Sequence, residues 1–307
     1  MKEITLVTAF FDIGRGSLKD NTLKRSNDKY FQYFEHWARM NNNLIVYTEK
    51  ENVERIAEVR KKFNLIEKTK IIVIDDIYDI EKEIYKKMCE VEKKYEFKNF
   101  RYYFDAYSNT AKYDYIMFMK YWCLYDAMNK ELVGNKVAWI DFGFDHGGNK
   151  YTNSEEFNFK WDYEFDNKIN IFSLSNPEKF SSIESLQMQK DCIMGFLVYV
   201  PKNLIEEFWN LIRKSMEALL MLECIDDDQH LLLMAYKWNP NIFKYHISDW
   251  FMPLKEYGGE HLSIRKDNIH KPIFIKNKFK TMLIKNNKKQ KEFAERCYNT
   301  ACKHYKI

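Results

Sequence analysis

Two carboxylates, a histidine and a pair of glycines follow directly on an apolar run in Lys136-Val-Ala-Trp-Ile-Asp-Phe-Gly-Phe-Asp-His-Gly-Gly148. Every position from Val137 to Ile140 is apolar, the pattern of a strand buried on both faces of a parallel sheet, and Asp141 then falls at its carboxyl end. Open α/β sheets bind ligands at that edge. Asp141 and Asp145, with His146 beside them, could hold a divalent cation through hard oxygen ligands and leave its other positions to water or phosphate oxygens. An ordinary Asp/Gly turn after a buried strand is the competing reading.

A second acidic cluster lies in Cys224-Ile-Asp-Asp-Asp-Gln-His230. Three adjacent carboxylates repel one another, and crowding raises a pKa, which suits a general base or a charge-stabilising group. The same residues read as a helix start, because an aspartate before Gln229-His-Leu-Leu-Leu-Met is a common N-cap. The two readings are compatible. His246 follows a short apolar strand and is either a late metal or phosphate contact or a hydrogen-bonded core histidine. In Phe11-Asp-Ile-Gly-Arg-Gly16, Arg15 could take a phosphate bidentately, with Gly14 and Gly16 allowing close approach; a flexible surface loop is the alternative. Lys120 is a charge inside an apolar helix, Met117-Phe-Met-Lys-Tyr-Trp122, so it either snorkels or points at a ligand anion.

The elements that must position these groups alternate in the first half. Ile4–Phe10 is an apolar, β-branched run, followed by helical spacing of Tyr30, Phe31, Phe34, Trp37 and Ala38. Leu44–Thr48 is a second strand, Val53 to Arg60 a short helix, Ile71–Ile74 a third strand ending in Asp75-Asp76, and Ile80–Tyr95 a charged amphipathic helix. This βαβαβ order predicts a parallel sheet with right-handed crossovers. A helix rich in Tyr and Met, between Asp105 and Lys130, precedes the Val137 strand. Further on, Ile169–Leu174 and Ile193–Val200 read as strands. Pro201 opens a helix through Leu219, and Leu231–Tyr236 and Ile242–His246 read as helix and strand.

Composition narrows the classes. The 307 residues are long enough for a large core. There is no stretch of about 18 uncharged apolar residues, and the N-terminus runs straight into a strand-like segment rather than a signal peptide, which predicts a cytoplasmic chain. Six cysteines are scattered without Cys-x-x-Cys, so reduced thiols are expected. Residues 271–307 carry 11 Lys/Arg against 2 Asp/Glu, so the net charge of +4 is a property of the tail. That tail reads as a solvated helical face or as a contact with anionic lipid at the inner membrane face; no nucleic-acid partner is expected. The domain division is 1–270 for the globular part and 271–307 for a basic extension. Gly-x-Gly-x-x-Gly, the Walker P-loop, His-Glu-x-x-His and Gly-x-Ser-x-Gly are all absent, which leaves carboxylate chemistry.

Thr8-Ala-Phe-Phe-Asp-Ile-Gly-Arg-Gly16 and Trp139-Ile-Asp-Phe-Gly-Phe144 resemble the bacterial HtrL/YibB family over most of residues 1–255. That family looks related to nucleotide-sugar glycosyltransferases of GT-A fold. The resemblance implies a GT-A-like (Rossmann-like) central, mostly parallel sheet flanked by helices, with an N-terminal half that binds the nucleotide. An Asp-x-Asp motif ending a strand then holds Mn²⁺ or Mg²⁺ against the diphosphate. Asp141 falls where the leading carboxylate would be, but Asp141-Phe-Gly143 lacks the second aspartate two residues on. Ile193-Met-Gly-Phe196, with Phe208-Trp209 after it, looks like the glycine strand and helix bounding the sugar site. Asp228-Gln-His-Leu-Leu232 is similar to the Asp-Gln-x-x-Leu segment of retaining enzymes.

These readings converge on a glycosyltransferase moving a sugar from a nucleotide-diphosphate donor to a surface-glycan or lipid-linked acceptor. Thr8, Ala9, Phe11, Asp75, Asp76 and Gly195 would line the donor pocket. Arg15 and Lys120 would meet phosphates, and Asp141, Asp145 and His246 would hold the metal. Asp227, Asp228 or Gln229 would attend the reacting carbon. A non-catalytic nucleotide or glycan binder with a degenerate site, and a metal-dependent phosphoesterase, are the alternatives.

Overall fold

A computed structural model describes residues 3–17, 24–101, 110–189 and 191–265. Seven strands form one sheet: β1 (Ile4–Phe10), β2 (Leu44–Thr48), β3 (Thr69–Val73), β4 (Lys136–Ile140), β5 (Ile169–Ser173), β6 (Ile193–Pro201) and β7 (Phe243–Ile247), in the order β3-β2-β1-β4-β6-β5-β7. The helices are α1 (Asn27–Trp37), α2 (Val53–Lys62), α3 (Lys82–Lys93), α4 (Tyr95–Phe100), α5 (Ala111–Asn129), α6 (Ser182–Met188), α7 (Ile205–Met221), α8 (Asp228–Trp238) and α9 (Pro253–Glu256). The fold is mixed α/β, a central sheet with helices on both faces.

The βαβαβ half is as the alternation of patterns predicts: β1, β2 and β3 pair in parallel, and β4 adds in parallel to the other side of β1. The order therefore reverses at β1. An open sheet has its crevice at such a switch point, outside the carboxyl ends of the two central strands. The second half departs from a purely parallel arrangement, because β6 runs antiparallel to both β4 and β5, while β7 pairs parallel to β5 at the edge. Four of the six strand pairings are parallel. The antiparallel β6 has a consequence for the site: Leu197 lies beside Ile140 at the carboxyl end of β4, and the first residues of β6 run on past that end.

Strand alternation sends odd and even residues of β1 and β4 into two separate cores. Val7, Val137 and Trp139 pack with α3, α5, α7 and α8. Leu6, Phe10, Ala138 and Ile140 pack with α1 and with Tyr151, Phe157 and Trp161 from the segment after β4. Most of the aromatic content is spent in these layers, Phe142 stacking on Phe10 and Phe34 at 4.9 and 4.3 Å between ring centres. Helix α5 is buried on nearly every side, which is why its sequence carries little amphipathic period.

Local sequence differs from expectation at several ends. The helix read over Ile80–Tyr95 is divided into α3 and α4, and Pro201 closes β6 instead of opening α7, which starts after a 3₁₀ turn at Lys202–Leu204. Helix α8 begins at Asp228, earlier than the apolar run indicated, because Asp227 is its N-cap. Cys89, Cys123, Cys192 and Cys224 are free thiols. Among the described residues no helix is long and apolar enough to cross a membrane. The basic extension over 271–307, with its 270/271 boundary, and Cys297 and Cys302 lie outside the described residues.

One buried cation ties the first crossover together. Arg60 of α2 donates Nη1 to the carbonyls of Ala38 and Met40 at 2.5 and 2.9 Å, Nη2 to Asn42 O at 3.1 Å, and Nε to Thr69 Oγ1 at 2.8 Å. It thereby closes the carboxyl end of α1 and the entry to β2. Arg60→Met keeps the apolar stem but leaves these acceptors dry and unpaired. Its urea midpoint is expected to fall by the equivalent of about 3 kcal/mol or more.

Candidate functional site

The central carboxylate is Asp141, the residue after β4. Its backbone amide donates to Phe196 O at 2.9 Å, which continues the β4–β6 ladder one step past the strand. Two-residue alternation places its side chain on the same face as Trp139, whose indole Nε1 donates to Asp141 Oδ1 at 2.7 Å. The same Oδ1 lies 2.8 Å from Lys120 Nζ. Asp141 is 31% exposed at the side chain, so it opens outward from an otherwise closed cluster.

Lys120 comes from the middle of α5, and its ammonium also meets Asp228 Oδ2 at 2.6 Å. The lysine and Asp228 side chains are 6% and 5% exposed. Burial alone would lower the lysine pKa, but Asp141 and Asp228 more than offset this and hold the ammonium charged. Burial raises the Asp228 carboxyl, with Lys120 opposing and Asp141 adding to the rise. Gly195, on β6, makes the approach of α8 possible: a Cβ there would lie 1.8 Å from Asp228 Oδ2 and 2.4 Å from its Cγ. The glycine is thus required by a carboxylate of the protein itself.

The loop after β1 brings Arg15 to the same edge. Its guanidinium carbon sits 4.4 Å over the Tyr113 ring, Nη1 donates to Tyr30 Oη at 3.1 Å, and Nε is buried without a hydrogen-bond partner among the described residues. Tyr113 lies on α5 two turns before Lys120. Burial first, and then the charges of Asp227 and Asp228, push its phenol up, while Arg15 and Lys120 oppose. The charges of Arg15, Lys120, Asp227 and Asp228 therefore all act on Tyr113. An open recess of ≈ 420 Å³ at the end of β1 is lined by Asp12, Gly14, Gly16, Ser26 and Asn27, among others.

Asp226, Asp227 and Asp228 point three ways. Asp226 Oδ2 is 3.1 Å from Arg101 Nη2, Asp227 caps α8 by accepting from Gln229 N at 3.1 Å, and Asp228 takes Lys120. Burial, then Asp226 and Asp228, raise the Asp227 carboxyl well above the usual range. Gln229 Oε1 is buried with no hydrogen-bond partner among the described residues.

Other expected site residues go elsewhere. Asp145 is fully buried and accepts from the amides of Lys150 and Tyr151 at 2.6 and 2.8 Å. It staples a turn in which Asp145, His146, Gly147 and Gly148 all have positive φ, from 48° to 100°. Such strain persists only where surrounding bonds over-determine it, and the two amide bonds to Asp145 staple the loop in this way. His146 has its ring between Tyr33 and Phe251. Loss of water, then Arg25 and Arg15, hold it neutral against the pull of Asp141. His246 lies on the edge strand β7, bonded to Asn170 Oδ1 at 2.8 Å and stacked on Phe172, and so behaves as a hydrogen-bonded packing histidine. Thr8 shares its face of β1 with Leu6 and Phe10 and is buried, and Phe11 belongs to the α5-side core with Ala9 packed against it. Asp75 and Asp76 are exposed beyond β3, Asp76 capping the next turn through Tyr78 N at 2.9 Å.

A metal fits this donor set poorly. Among the described residues no group of three or more His, Cys, Asp or Glu side chains is placed to hold an ion. The point between Asp141 and Asp228 is taken by the ammonium. A divalent ion about 3 Å from that charge would be repelled by on the order of 10 kcal/mol at an effective dielectric of about 20.

Tyr113, Trp139, Arg101 and Asp114 were not singled out from the sequence. The spacing of Tyr113 and Lys120, and of Trp139 and Asp141, could have revealed the first two. Nothing local points to Arg101.

The profile of the family described as "Bacterial protein of unknown function (HtrL_YibB)" matches residues 2–258. This chain belongs to that family. It is 30% identical over 273 residues to "Protein HtrL" of Escherichia coli (strain K12), covering 80% of this chain and 90% of that one. Among solved structures it is similar to apo mouse xyloside xylosyltransferase 1, with a TM-score of 0.40 and 14% identity over 80% of this chain and 85% of the other.

Two expectations follow for this family member. Gly195→Ala must displace Asp228 from Lys120, so unfolding free energy should drop by about 3 kcal/mol, and a Gly195→Ala/Asp228→Gly double variant should lose less than the sum of the singles. Asp114, buried with neither oxygen hydrogen-bonded among the described residues, is raised well above the ordinary range by burial and then by Asp226, with Arg101 opposing. In the unfolded chain it ionises near ~4, so the folded state keeps the proton longer and stability falls as pH rises from there towards the folded value. Asp114→Asn should flatten that slope in urea titrations and be the more stable form at neutral pH; equal slopes would contradict it.

Proposed function

We propose that this protein is a glycosyltransferase that moves a sugar from a nucleotide-diphosphate donor to a glycan or lipid-linked acceptor. The observation that carries the reading is the Asp141–Lys120–Asp228 triad at the switch-point crevice between β1 and β4. A parallel βαβαβ half presents its carboxyl edge to a nucleotide. Arg15, stacked on Tyr113 with an Nε that has no partner among the described residues, supplies a planar cation for phosphate oxygens at that edge.

Transfer breaks the bond between the sugar C1 and the diphosphate oxygen, and the electron pair leaves with the diphosphate. The acceptor oxygen forms the new bond to C1 and gives up its proton. Asp227, with its raised pKa, is suited to take that proton, or the departing diphosphate takes it. The oxocarbenium-like transition state gains positive charge at C1, which the Asp228 carboxylate and the Gln229 amide oxygen, without a partner among the described residues, would stabilise. The outward-facing Asp141, held at Oδ1 by Trp139 and Lys120, has Oδ2 left to accept from a sugar hydroxyl.

UDP or GDP is expected to raise the melting temperature of the unaltered protein. Arg15→Ala should weaken that binding by about 10- to 100-fold. Asp228→Asn should lower donor hydrolysis or transfer by on the order of 10² to 10³ with little change in nucleotide affinity. If neither nucleotide shifts the melting curve, the reading fails.

A further inference from the structure

We infer that the Lys120 ammonium is this protein's built-in cation for the diphosphate, so that donor binding requires no divalent metal. The inference rests on the nucleotide-diphosphate reading above and departs from the metal expected from the sequence.

Lys120 Nζ stands 2.8 Å from Asp141 Oδ1 and 2.6 Å from Asp228 Oδ2, between the two carboxylates that the sheet edge and α8 bring together. Two of its three N–H donors serve those oxygens, leaving one for a phosphate oxygen. The Asp141 oxygen on the lysine is also bonded by the Trp139 indole, so it has little capacity left for a metal. The remaining ligands such a metal would need are committed: Asp145 to backbone amides, and His246 to Asn170 on the far edge of the sheet.

Charge balance supports the substitution. Asp141 and Asp228, which face Lys120, sum to zero with Lys120 and Arg15 of the neighbouring loop, the same sum that one divalent ion would leave with two carboxylates. A lysine reaching from the middle of a buried helix is fixed by the core, so it is in place before substrate arrives and needs no loading step. When the sugar C1–oxygen bond breaks and the electron pair stays on oxygen, the ammonium meets the charge that appears there.

Calorimetric titration of the full-length protein with UDP and with GDP, in EDTA and in Mn²⁺, tests this. Affinity should agree within about twofold between the two conditions, and a folded Lys120→Met variant should bind at least about tenfold more weakly in both. Should that variant fail to fold, the EDTA and Mn²⁺ titrations of the unaltered protein still decide. Binding that appears only with Mn²⁺ overturns the inference and leaves the nucleotide reading standing. So does EDTA-resistant binding that folded Lys120→Met retains. Absence of binding by either nucleotide in both conditions removes the inference together with the reading beneath it.

Discussion

A lysine ammonium withdrawn from water and held between two carboxylates is the constraint around which the sheet edge is organised. Taking such charges into the interior costs several kcal/mol each unless geometry and hydrogen bonding are both good. Here the lysine comes from α5 and its two partners from the end of β4 and the start of α8, and both carboxylates must arrive within hydrogen-bonding distance of the same nitrogen. That demand explains features that are otherwise unrelated: a glycine in the middle of β6 where α8 crosses, an indole directed along β4 at a carboxylate, and a helix buried on nearly every side to carry the lysine.

The run of three aspartates is tolerated for a related reason. Adjacent carboxylates on a loop repel, but the start of α8 turns them in different directions and gives each its own donor. Asp226 meets the guanidinium of Arg101, Asp227 the amide of Gln229, and Asp228 the ammonium of Lys120. Burial raises both Asp227 and Asp228, and the lysine opposes the rise at Asp228.

The turn after β4 shows how the same residue types serve architecture. Asp145 has the composition and spacing of a ligand, four residues from Asp141, but its oxygens close a left-handed turn on the amides of Lys150 and Tyr151. Asp141 and Asp145 diverge because one remains in register with β6 while the other is past the point where the ladder ends.

Local pattern was enough to determine the strands and helices of the first half, their parallel order, and the placement of Asp141 at a sheet edge, because hydrophobic period and turn chemistry act over a few residues. The start of α8 was legible in the same way, from a cap signal next to crowded charge. The reversal of β6, the commitment of His246 to Asn170 and the pairing of Lys120 with Asp141 and Asp228 were decided by tertiary structure alone. Each depends on which strand lies beside which and on which helix face reaches the sheet. A lysine in an apolar helix reads the same from its neighbours whether it faces water, a ligand or two carboxylates. Only the packing of α5 against β4 and α8 supplies the partners that distinguish them.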